Sequence, residues 1–297
     1  MSVESFPLVS IGIPFYNPGK FFADAIRSVF AQTYVHWELL LVDDGSDDGS
    51  LELAKRIKDP RVKVFSDGKH LGLVARLNQI AQMASGFYVA RMDADDLMHP
   101  ERIARQVAFL QQHPEINVVD TGAIVLDREG VPAGLRGLED RLPSALEILK
   151  QGGFLHASIM AKREWFLQHP YDPDYPRAED RELWVREYRK TKFAHIPEPL
   201  YFYHFIGRVR LKEYLQSYRS ERQVIARYGW AMVGVLPSLY LYVRSLLKSG
   251  LLCGLSLVHK EQFFNRYKYR HISPDLLAES IRVLQYIREQ KVPGWES

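Results

Sequence analysis

Three carboxylates within four residues form the part of this chain best suited to chemistry. Asp93, Asp95 and Asp96 directly follow the apolar run at residues 87–90. Carboxylate oxygens are the hard ligands that Mg²⁺ or Mn²⁺ prefers, and one or two suffice when substrate phosphates supply the rest. The pattern therefore predicts a divalent-metal site facing a diphosphate. The alternative is an acidic loop that caps the helix starting near Pro100.

The elements that must position these carboxylates alternate along the first 126 residues. Apolar runs predict strands over residues 9–15, 37–42, 62–65, 87–92 and 117–126. Amphipathic stretches between them predict helices over 21–32, up to about 58, over 74–84 and over 100–112. Strands that alternate with such helices indicate a parallel sheet. Tyr16, Asp43, Asp44 and the acidic cluster all follow strand ends, the edge at which open parallel sheets bind ligands.

The alternation weakens beyond about residue 128. Helices are predicted over 142–151 and 179–189, and extended segments over 157–161 and 200–205. From residue 211 onward the chain reads as helical, with breaks predicted near Pro237, Gly250 and Pro274.

Charge is unevenly distributed over the 297 residues. The net charge is +3, but residues 207–270 hold twelve Lys/Arg and three acidic residues, a net of +9 that leaves −6 for the rest. Such a segment could face anionic lipid, nucleic acid or a phosphorylated substrate. The single cysteine, Cys253, fits a reducing compartment, and the first residues lack a signal-peptide pattern. A cytoplasmic location is therefore expected.

Two uncharged runs lie in the basic segment, at residues 228–243 and 249–258. Neither is a clean span of about 20 apolar residues, so a transmembrane helix is not predicted. Apolar stripes flanked by Lys and Arg suit helices in a membrane interface. The alternative is a helical appendage packed on the catalytic domain or on a second subunit.

The ordered motifs resemble the family-2 glycosyltransferases of the GT-A fold over roughly residues 8–205. The markers, in chain order, are the segments 13–17 (Ile-Pro-Phe-Tyr-Asn), 41–48 (Leu-Val-Asp-Asp-Gly-Ser-Asp-Asp), 72–78 (Gly-Leu-Val-Ala-Arg-Leu-Asn), 93–96 (Asp-Ala-Asp-Asp) and 179–184 (Glu-Asp-Arg-Glu-Leu-Trp). Each segment is a weak signal alone, but the ordered set is specific.

The resemblance implies an α/β fold, with a Rossmann-like, mostly parallel central sheet flanked by helices. It implies a GT-A catalytic domain over residues 1–210, with nucleotide-sugar binding at about 8–127 and the acceptor side at about 128–210. Residues 211–297 would form a basic helical C-terminal region. The implied activity is inverting transfer of a sugar from a nucleotide-diphosphate donor, most simply a UDP-sugar, to a hydroxyl of a glycan or lipid-linked acceptor. Nucleic acid is not an expected partner.

The donor side of the site follows from the same resemblance. Pro14 and Tyr16 would hold the base and ribose, and Asp44 would read the base by accepting the N3–H of uracil. Arg76 would lie near the base and phosphates, where a bidentate donor is suited. Asp95 would ligate Mn²⁺ or Mg²⁺, and Asp93 would reach the ribose or the metal. The alternatives are a packing role for Tyr16, a turn role for Asp44 and a solvated helical position for Arg76.

The acceptor side has one principal candidate, Asp180, as the general base that takes the proton of the acceptor hydroxyl. Its position at a helix start favours the charged form, although Glu179 and Asp180 could simply cap that helix. Further candidates are Asp43 as a helix cap, His156 in the donor-sugar or acceptor pocket, and His204 with Arg208 near the diphosphate or metal. Asp96 is expected to cap the helix near Pro100.

Other functions fit the sequence less well. A sugar-1-phosphate nucleotidyltransferase shares a similar sheet, but such enzymes usually open with a Gly-rich basic loop, and residues 14–19 here read Pro-Phe-Tyr-Asn-Pro-Gly. A dehydrogenase would need G-x-G-x-x-G after the first strand, and this sequence has none. A non-catalytic sugar-nucleotide-binding protein also remains an alternative, but the retention of Asp44, Asp95 and Asp180 argues against it.

Overall fold

One mixed sheet organises the chain in the computed structural model, which describes residues 6–204, 211–257 and 270–295. Its strands are β1 (Val9–Phe15), β2 (Trp37–Asp43), β3 (Val62–Phe65), β4 (Tyr88–Arg91), β5 (Leu97–Met98), β6 (Val118–Leu126), β7 (Pro132–Arg136), β8 (Met160–Lys162) and β9 (Phe193–His204). Helices pack around this sheet and continue into the C-terminal third. They are α1 (Phe22–Phe30), α2 (Ser50–Lys55), α3 (Leu73–Met83), α4 (Arg102–Gln112), α5 (Ala145–Gln151), α6 (Arg163–Gln168), α7 (Glu179–Glu187), α8 (Leu211–Val224), α9 (Trp230–Val233), α10 (Val235–Leu257) and α11 (Pro274–Arg288).

The strand order is β3-β2-β1-β4-β8-β6-β9-β5, with β7 paired to β6. The first four strands are parallel, as the βαβ alternation predicts. β8 then lies antiparallel to both β4 and β6. β7 pairs antiparallel with β6, and β5 pairs antiparallel with β9. The α/β class and the helical C-terminal part are confirmed. The sheet is mixed because the parallel βαβ pattern stops after β4, and antiparallel pairs can form through short connections.

The central strands are buried on both faces, which explains their continuous apolar runs. In β2, Leu39 and Leu41 join the core on one side of the sheet, and Leu40 and Val42 join the core on the other. Helix α3 approaches β1 so closely that a Cβ on Gly12 would overlap Ile80. This contact fixes α3 over the first strands and thereby positions its N-terminus at their carboxyl ends.

Sequence patterning located most elements but misjudged several boundaries. The extended segment expected over 157–161 is a 3₁₀ turn, His156–Ser158, followed by β8, and the strand expected over 200–205 begins at Phe193. The break predicted near Pro237 is confirmed, although Pro237 itself does not cause it. The helix is interrupted at Gly234, with φ +88°, and Pro237 lies in the first turn of α10, where its missing N–H costs nothing. Gly250 also lies within α10 and does not break it.

The C-terminal third is docked on the sheet domain at two places. α8 and the π-helical turn Ile225–Gly229 pack against α7 and α10. α11 packs against α1, where Arg288 Nε lies 3.1 Å from Asp24 Oδ2, and Trp295 Nε1 donates to the Leu53 carbonyl at 3.0 Å. None of the helices in the described ranges has the length and apolar character needed to cross a bilayer.

Candidate functional site

A cavity of about 1060 Å³ lies at the carboxyl ends of β1 and β2. Pro14, Tyr16 and Asp44 line it from the strand ends, and Arg76 lines it from the start of α3. The Tyr16 side chain is 51% exposed, and its ring centroid lies 4.2 Å from that of His70. An exposed aromatic face beside a polar strand end is suited to stacking on a planar base.

The Asp44 carboxylate already accepts hydrogen bonds from the chain itself. Its Oδ1 accepts from the Leu71 amide at 2.8 Å and from Arg76 Nε at 2.9 Å, and its Oδ2 accepts from the Gly72 amide at 3.0 Å. His70 Nδ1 lies 2.9 Å from Oδ2. Gly72 has a φ of +86°, which side-chain-bearing residues rarely adopt, so a glycine here lets the loop aim its amides at Asp44.

Arg76 is fully buried, and its guanidinium organises the same loop. Its Nη2 donates to Asp67 Oδ1 at 2.7 Å and to the Lys69 carbonyl at 2.6 Å, and its Nη1 donates to Gln79 Oε1 at 2.9 Å. Arg76 thus lines the cavity as predicted, but these terminal nitrogens are committed to protein acceptors. The guanidinium supports the loop over residues 67–72 that borders the cavity.

Asp43 lies beside Asp44 but serves a separate structural purpose. Its Oδ1 accepts from the Ser46 amide at 2.9 Å, and its Oδ2 accepts from Ser66 Oγ at 2.8 Å. α2 begins only at Ser50, so Asp43 holds the turn after β2 and does not cap the helix. It is buried and is not among the residues that line the cavity.

Glu179 and Asp180, in the first turn of α7, line the same cavity. The predicted helix start is therefore confirmed. Glu179 is buried, and this burial together with the neighbouring Asp180 charge raises the pKa of its carboxyl to about 7. Asp180 is half-buried, and its Oδ1 accepts from the Arg181 amide at 2.7 Å. The more exposed carboxylate, Asp180, is thus the one placed to meet a ligand in the cavity.

α8 closes the cavity from a part of the chain that the sequence assigned to the C-terminal region. Glu213, Gln216 and Ser217 contribute to its wall. Arg177 Nη2 lies 2.8 Å from Glu213 Oε1, and Ser217 Oγ donates to the Arg177 carbonyl at 3.3 Å. Arg177 has a φ of +62°, so these contacts hold the chain in an unfavourable conformation just before α7.

The acidic cluster follows β4, as predicted. Asp93 and Asp95 are half-buried, and Asp96 is buried. Burial and the nearby Asp93 charge raise the pKa of Asp95 to about 6. Arg91, buried at the end of β4, donates from Nη2 to Asp93 Oδ1 at 2.6 Å. The charges of Arg91 and Asp93 also act on Glu179, which connects the acidic cluster electrostatically with the wall that carries Asp180.

The expectation that Asp96 caps the next helix is wrong. β5 follows it directly, and α4 begins only at Arg102. Asp96 Oδ1 instead accepts from the His204 amide at 2.7 Å, and Oδ2 is buried without a hydrogen-bond partner in the described structure. Burial, with the Asp95 and Asp93 charges, raises its pKa well above the usual range. Asp96 therefore ties the acidic cluster to the end of β9.

Asp93 and Asp95 are two neighbouring carboxylates that are suited to bind a divalent cation together. The Asp93 charge makes ionisation of Asp95 costly, and a cation bound by both carboxylates would relieve that repulsion. The described residues contain no ready cluster of three His, Cys, Asp or Glu ligands. A pair of carboxylates is nevertheless enough where substrate phosphates complete the coordination, and Mg²⁺ is usually bound in this way.

The two predicted histidines are both buried, and neither lines the described cavity. His156 Nε2 lies 2.8 Å from the Tyr171 hydroxyl, and its ring packs against Trp184, so its contacts are those of a core residue. His204 stacks on Phe21 with ring centroids 3.9 Å apart, and burial lowers its pKa to about 4. Neither ring nitrogen of His204 has a hydrogen-bond partner in the described structure. Arg208 lies outside the described residues.

Some site residues were missed from the sequence. No motif marks four of the cavity-lining residues: Arg177, Glu213, Gln216 and Ser217. The last three belong to α8, which reaches the site only through tertiary packing. His70 and Leu71 precede the recognised Gly72 segment and could have been included as part of its loop. Arg91 directly precedes the acidic cluster, and a basic residue beside three acids was a usable signal.

Comparison with known proteins gives consistent matches. The family model described as glycosyl transferase family 2 matches residues 10–166, which is more than half of the chain. EpsE of Bacillus subtilis (strain 168), a candidate glycosyltransferase, is 36% identical over 190 residues, covering 62% of this chain and 68% of EpsE.

Two solved structures share the fold at low sequence identity. TarS of S. aureus in complex with UDP-GlcNAc aligns with a TM-score of 0.62 at 16% identity, covering 96% of this chain and 81% of that chain. The mannosyltransferase PcManGT of Pyrobaculum calidifontis, in complex with GDP-Man and Mn²⁺, aligns with a TM-score of 0.61 at 16% identity, covering 96% and 86%.

Proposed function

The chain belongs to glycosyl transferase family 2, and on that premise we propose that it moves a sugar from a nucleotide-diphosphate donor to a hydroxyl acceptor with inversion at the anomeric carbon. One observation carries the proposal. Tyr16, Asp44 and Asp180 all line a single cavity. A donor nucleotide bound at the strand ends would therefore share this cavity with a carboxylate suited to act as base.

The donor base is proposed to be uracil. Asp44 Oδ2 would accept its N3–H: besides the Gly72 amide its neighbour is His70, which is 59% exposed and can rotate away without cost to the core. The Leu71 amide and Arg76 would keep Oδ1 fixed during this exchange. Tyr16 would stack on the base from the exposed side. TarS was solved with UDP-GlcNAc and PcManGT with GDP-Man, so the fold alone does not choose the base.

Asp95, with Asp93, would hold Mn²⁺ or Mg²⁺ against the two donor phosphates. Such a cation, when bound, neutralises charge that builds up on the departing diphosphate. The half-buried pair, with the pKa of Asp95 raised by burial and by Asp93, supports this assignment. His204 lies at the end of β9 next to Asp96 and has no hydrogen-bond partner on its ring in the described structure, so it is a further candidate near the phosphates.

Asp180 is proposed to be the general base. The acceptor oxygen forms a bond to the anomeric carbon as the bond from that carbon to the phosphate oxygen breaks. The acceptor proton passes to Asp180, and the electron pair leaves on the nucleoside diphosphate. Attack from the face opposite the leaving group inverts the anomeric centre. Glu179, with its pKa raised to about 7, is the less accessible of the two carboxyls and would tune the charge around Asp180.

The acceptor is proposed to be a glycan or lipid-linked intermediate of polysaccharide synthesis. The acceptor would enter from the side of α7 and α8, where Arg177, Glu213 and Gln216 present polar groups to the cavity. These groups suit sugar hydroxyls, which both donate and accept hydrogen bonds.

A ligand screen followed by turnover tests this function. We expect UDP, with Mn²⁺, to raise the melting temperature more than GDP or CDP does. We then expect one UDP-sugar to release UDP slowly with water and faster with an added acceptor glycan. The Asp180→Asn protein should bind UDP normally but lose roughly 10²–10⁴-fold in transfer rate.

Other outcomes would point elsewhere. Release of pyrophosphate from a nucleoside triphosphate and a sugar 1-phosphate would establish the nucleotidyltransferase alternative. Unchanged transfer by Asp180→Asn would refute the base assignment. Tight UDP-sugar binding with no turnover on any acceptor or on water would favour a non-catalytic binding protein.

A further inference from the structure

Helix α10 carries a row of large apolar side chains on its exposed outer face. Six large apolar residues of its outer face are between 44% and 78% exposed: Leu236, Leu239, Val243, Leu246, Leu247 and Leu251. Helical spacing puts them on one continuous stripe along most of the 23-residue helix, which is about 34 Å long. A stripe of this extent is larger than the scattered apolar residues normal for a surface in water.

The inner face of the same helix buries two serines together with two leucines, Leu241 and Leu252. Ser238 and Ser245 are almost fully buried, and Ser245 Oγ lies 3.2 Å from Glu221 Oε2 of α8. Arg222 Nη1 donates to Ser249 Oγ at 2.9 Å. The approach is close, since a Cβ on Gly229 would come within 2.8 Å of Ser238 Oγ.

A surface helix in water usually buries most of its leucines, whereas α10 buries two and leaves six exposed. Packing through small and polar residues, with leucines outside, is typical of helices whose surroundings are apolar. The fold around α10 is therefore consistent with an outer face that is covered by something apolar.

The charges beside the apolar stripe indicate the kind of surface that it would face. α10 contains no acidic residue, and its two basic residues, Arg244 and Lys248, lie along one edge of the stripe near the middle of the helix. Burial lowers the pKa of Lys248, and the positive charges of Arg181 and Lys150 lower it further. A cationic edge beside an apolar stripe complements an anionic bilayer surface.

A second copy of the chain fits this surface less well. Two such stripes packed about a two-fold axis at the middle of α10 would bring the Arg244 and Lys248 edges of both copies together. Like charges at a partly buried contact are unfavourable, and the acid that acts on Lys248, Glu221 of α8, is already paired with Arg181.

We propose that α10 lies in the interface plane of an anionic membrane, with its leucine stripe at the acyl boundary and Arg244 and Lys248 at the headgroups. Arg181, next to Asp180, lies 3.1 Å from Glu221 Oε1, and Glu221 also contacts Ser245 of α10, so this orientation would set the acceptor side of the cavity near the bilayer. Membrane binding needs neither donor nor acceptor, so it can be tested independently of the transfer reaction.

Vesicle flotation of the full chain tests the proposal. We expect the protein to float with vesicles of phosphatidylcholine and phosphatidylglycerol, and much less with phosphatidylcholine alone. Replacing Leu236, Leu247 and Leu251 by Gln should lower binding at least about tenfold, because three exposed leucines lose their burial in lipid. The matched control variant carries the same change to Gln at three apolar residues that are similarly exposed but lie outside α10: Val35, Val131 and Ile281. This control should bind the vesicles as the wild type does.

A second pair of variants separates charge from apolar burial. Arg244→Gln and Lys248→Gln should each weaken binding to the anionic vesicles by about fivefold and leave binding to neutral vesicles unchanged. Two results would overturn the proposal. One is recovery of the wild-type chain away from both kinds of vesicle. The other is a lipid-free dimer that the triple leucine variant converts to a monomer, which would assign the stripe to a second copy.

Discussion

Arg76 Nε donates to Asp44 Oδ1 at 2.9 Å, and both side chains are almost fully buried at the edge of the cavity. Two residues that the sequence motifs point to separately thus form one unit. Asp44 holds the amides of Leu71 and Gly72, and Arg76 holds Asp67 and the Lys69 carbonyl. The loop that borders the nucleotide side is therefore prearranged before any ligand binds, which reduces the entropy lost on binding.

Replacing Asp44 should affect stability and nucleotide binding together. In Asp44→Asn the guanidinium of Arg76 keeps Asp67 but loses a buried charged partner, and we expect a loss of about 2–3 kcal/mol in unfolding free energy. UDP affinity should fall at least about tenfold, since the loop loses its anchor. Urea denaturation and calorimetric titration measure the two effects.

Asp43→Asn is the matched control for this variant. Asp43 is equally buried and also holds a turn, but it does not line the cavity. Its replacement should cost stability and spare UDP affinity. Equal losses of UDP affinity in the two variants would contradict a direct role for Asp44 in nucleotide binding.

Tyr16→Ala should weaken UDP binding and leave stability nearly unchanged, which is the reverse of the result expected for Asp43→Asn. Its side chain is 51% exposed, so removing the ring should change unfolding free energy by less than about 0.5 kcal/mol. Loss of stacking on a base should weaken UDP binding by about 1–3 kcal/mol, while Tyr16→Phe should retain most of the affinity. Tyr286→Ala, at a similarly exposed tyrosine on α11, serves as the control, and an equal loss of affinity in that variant would rule out stacking by Tyr16.

These contacts show how far the sequence could lead. Asp44 and Asp95 could be placed at strand ends from apolar periodicity and turn residues, whereas Asp180 was singled out only through the family resemblance. The roles of Arg76 and Asp96 were not visible, because their partners Asp67 and His204 are set by tertiary packing. The wall formed by α8 had no local signal at all. The exposed leucine face of α10 was visible only as apolar stripes flanked by basic residues, since the direction of each side chain depends on packing against α8.

Asp95→Asn should remove the response to divalent cations. With UDP present, Mn²⁺ should raise the melting temperature of the wild-type chain, because the ligated cation binds only the folded state. Asn offers one neutral oxygen in place of a carboxylate, so most of this increase should disappear, and EDTA should abolish transfer by the wild type. Asp140→Asn, at an exposed acid distant in sequence from the site, should keep the full response. A normal Mn²⁺ response in Asp95→Asn would exclude this residue as a ligand.

Glu179→Gln should stabilise the chain at alkaline pH. The pKa of Glu179 is raised to about 7, above its ordinary value, so the folded state holds a proton that the unfolded state releases. Wild-type stability should therefore fall as pH rises from about 4.5 to 7, and the penalty should remain above that range. Glu179→Gln should gain on the order of 1–3 kcal/mol at pH 8 and nothing at pH 4.

The same variant tests the division of roles on this wall. If Asp180 alone is the base, Glu179→Gln should retain transfer within about tenfold of wild type, far above the residual rate of Asp180→Asn. Glu52→Gln, at an exposed acid of α2, controls for a change of net charge. A loss of transfer as large as that of Asp180→Asn would make Glu179 the base.

His195 should also make the chain less stable as pH rises, because it loses a favourable charge. Its Nδ1 lies 2.7 Å from Asp120 Oδ1 and its Nε2 lies 2.8 Å from the Gly137 carbonyl, so both neighbours are acceptors. Burial opposes the charge, but the hydrogen bond and charge of Asp120 outweigh it, and the pKa of His195 is raised. The doubly protonated ring thereby links β6, β9 and the turn after β7.

A raised histidine pKa contributes stability that is complete below the unfolded value, near pH 6.5, and is lost as pH rises through the folded value. We expect the unfolding free energy to fall by about 1–2 kcal/mol between pH 6 and pH 9, as measured by urea denaturation. His195→Gln should be less stable at pH 6 and nearly insensitive to pH in this range, after allowance for the Glu179 contribution. The exposed His271→Gln should follow the wild-type curve, and a flat wild-type curve would show that the His195–Asp120 pair carries no net charge effect.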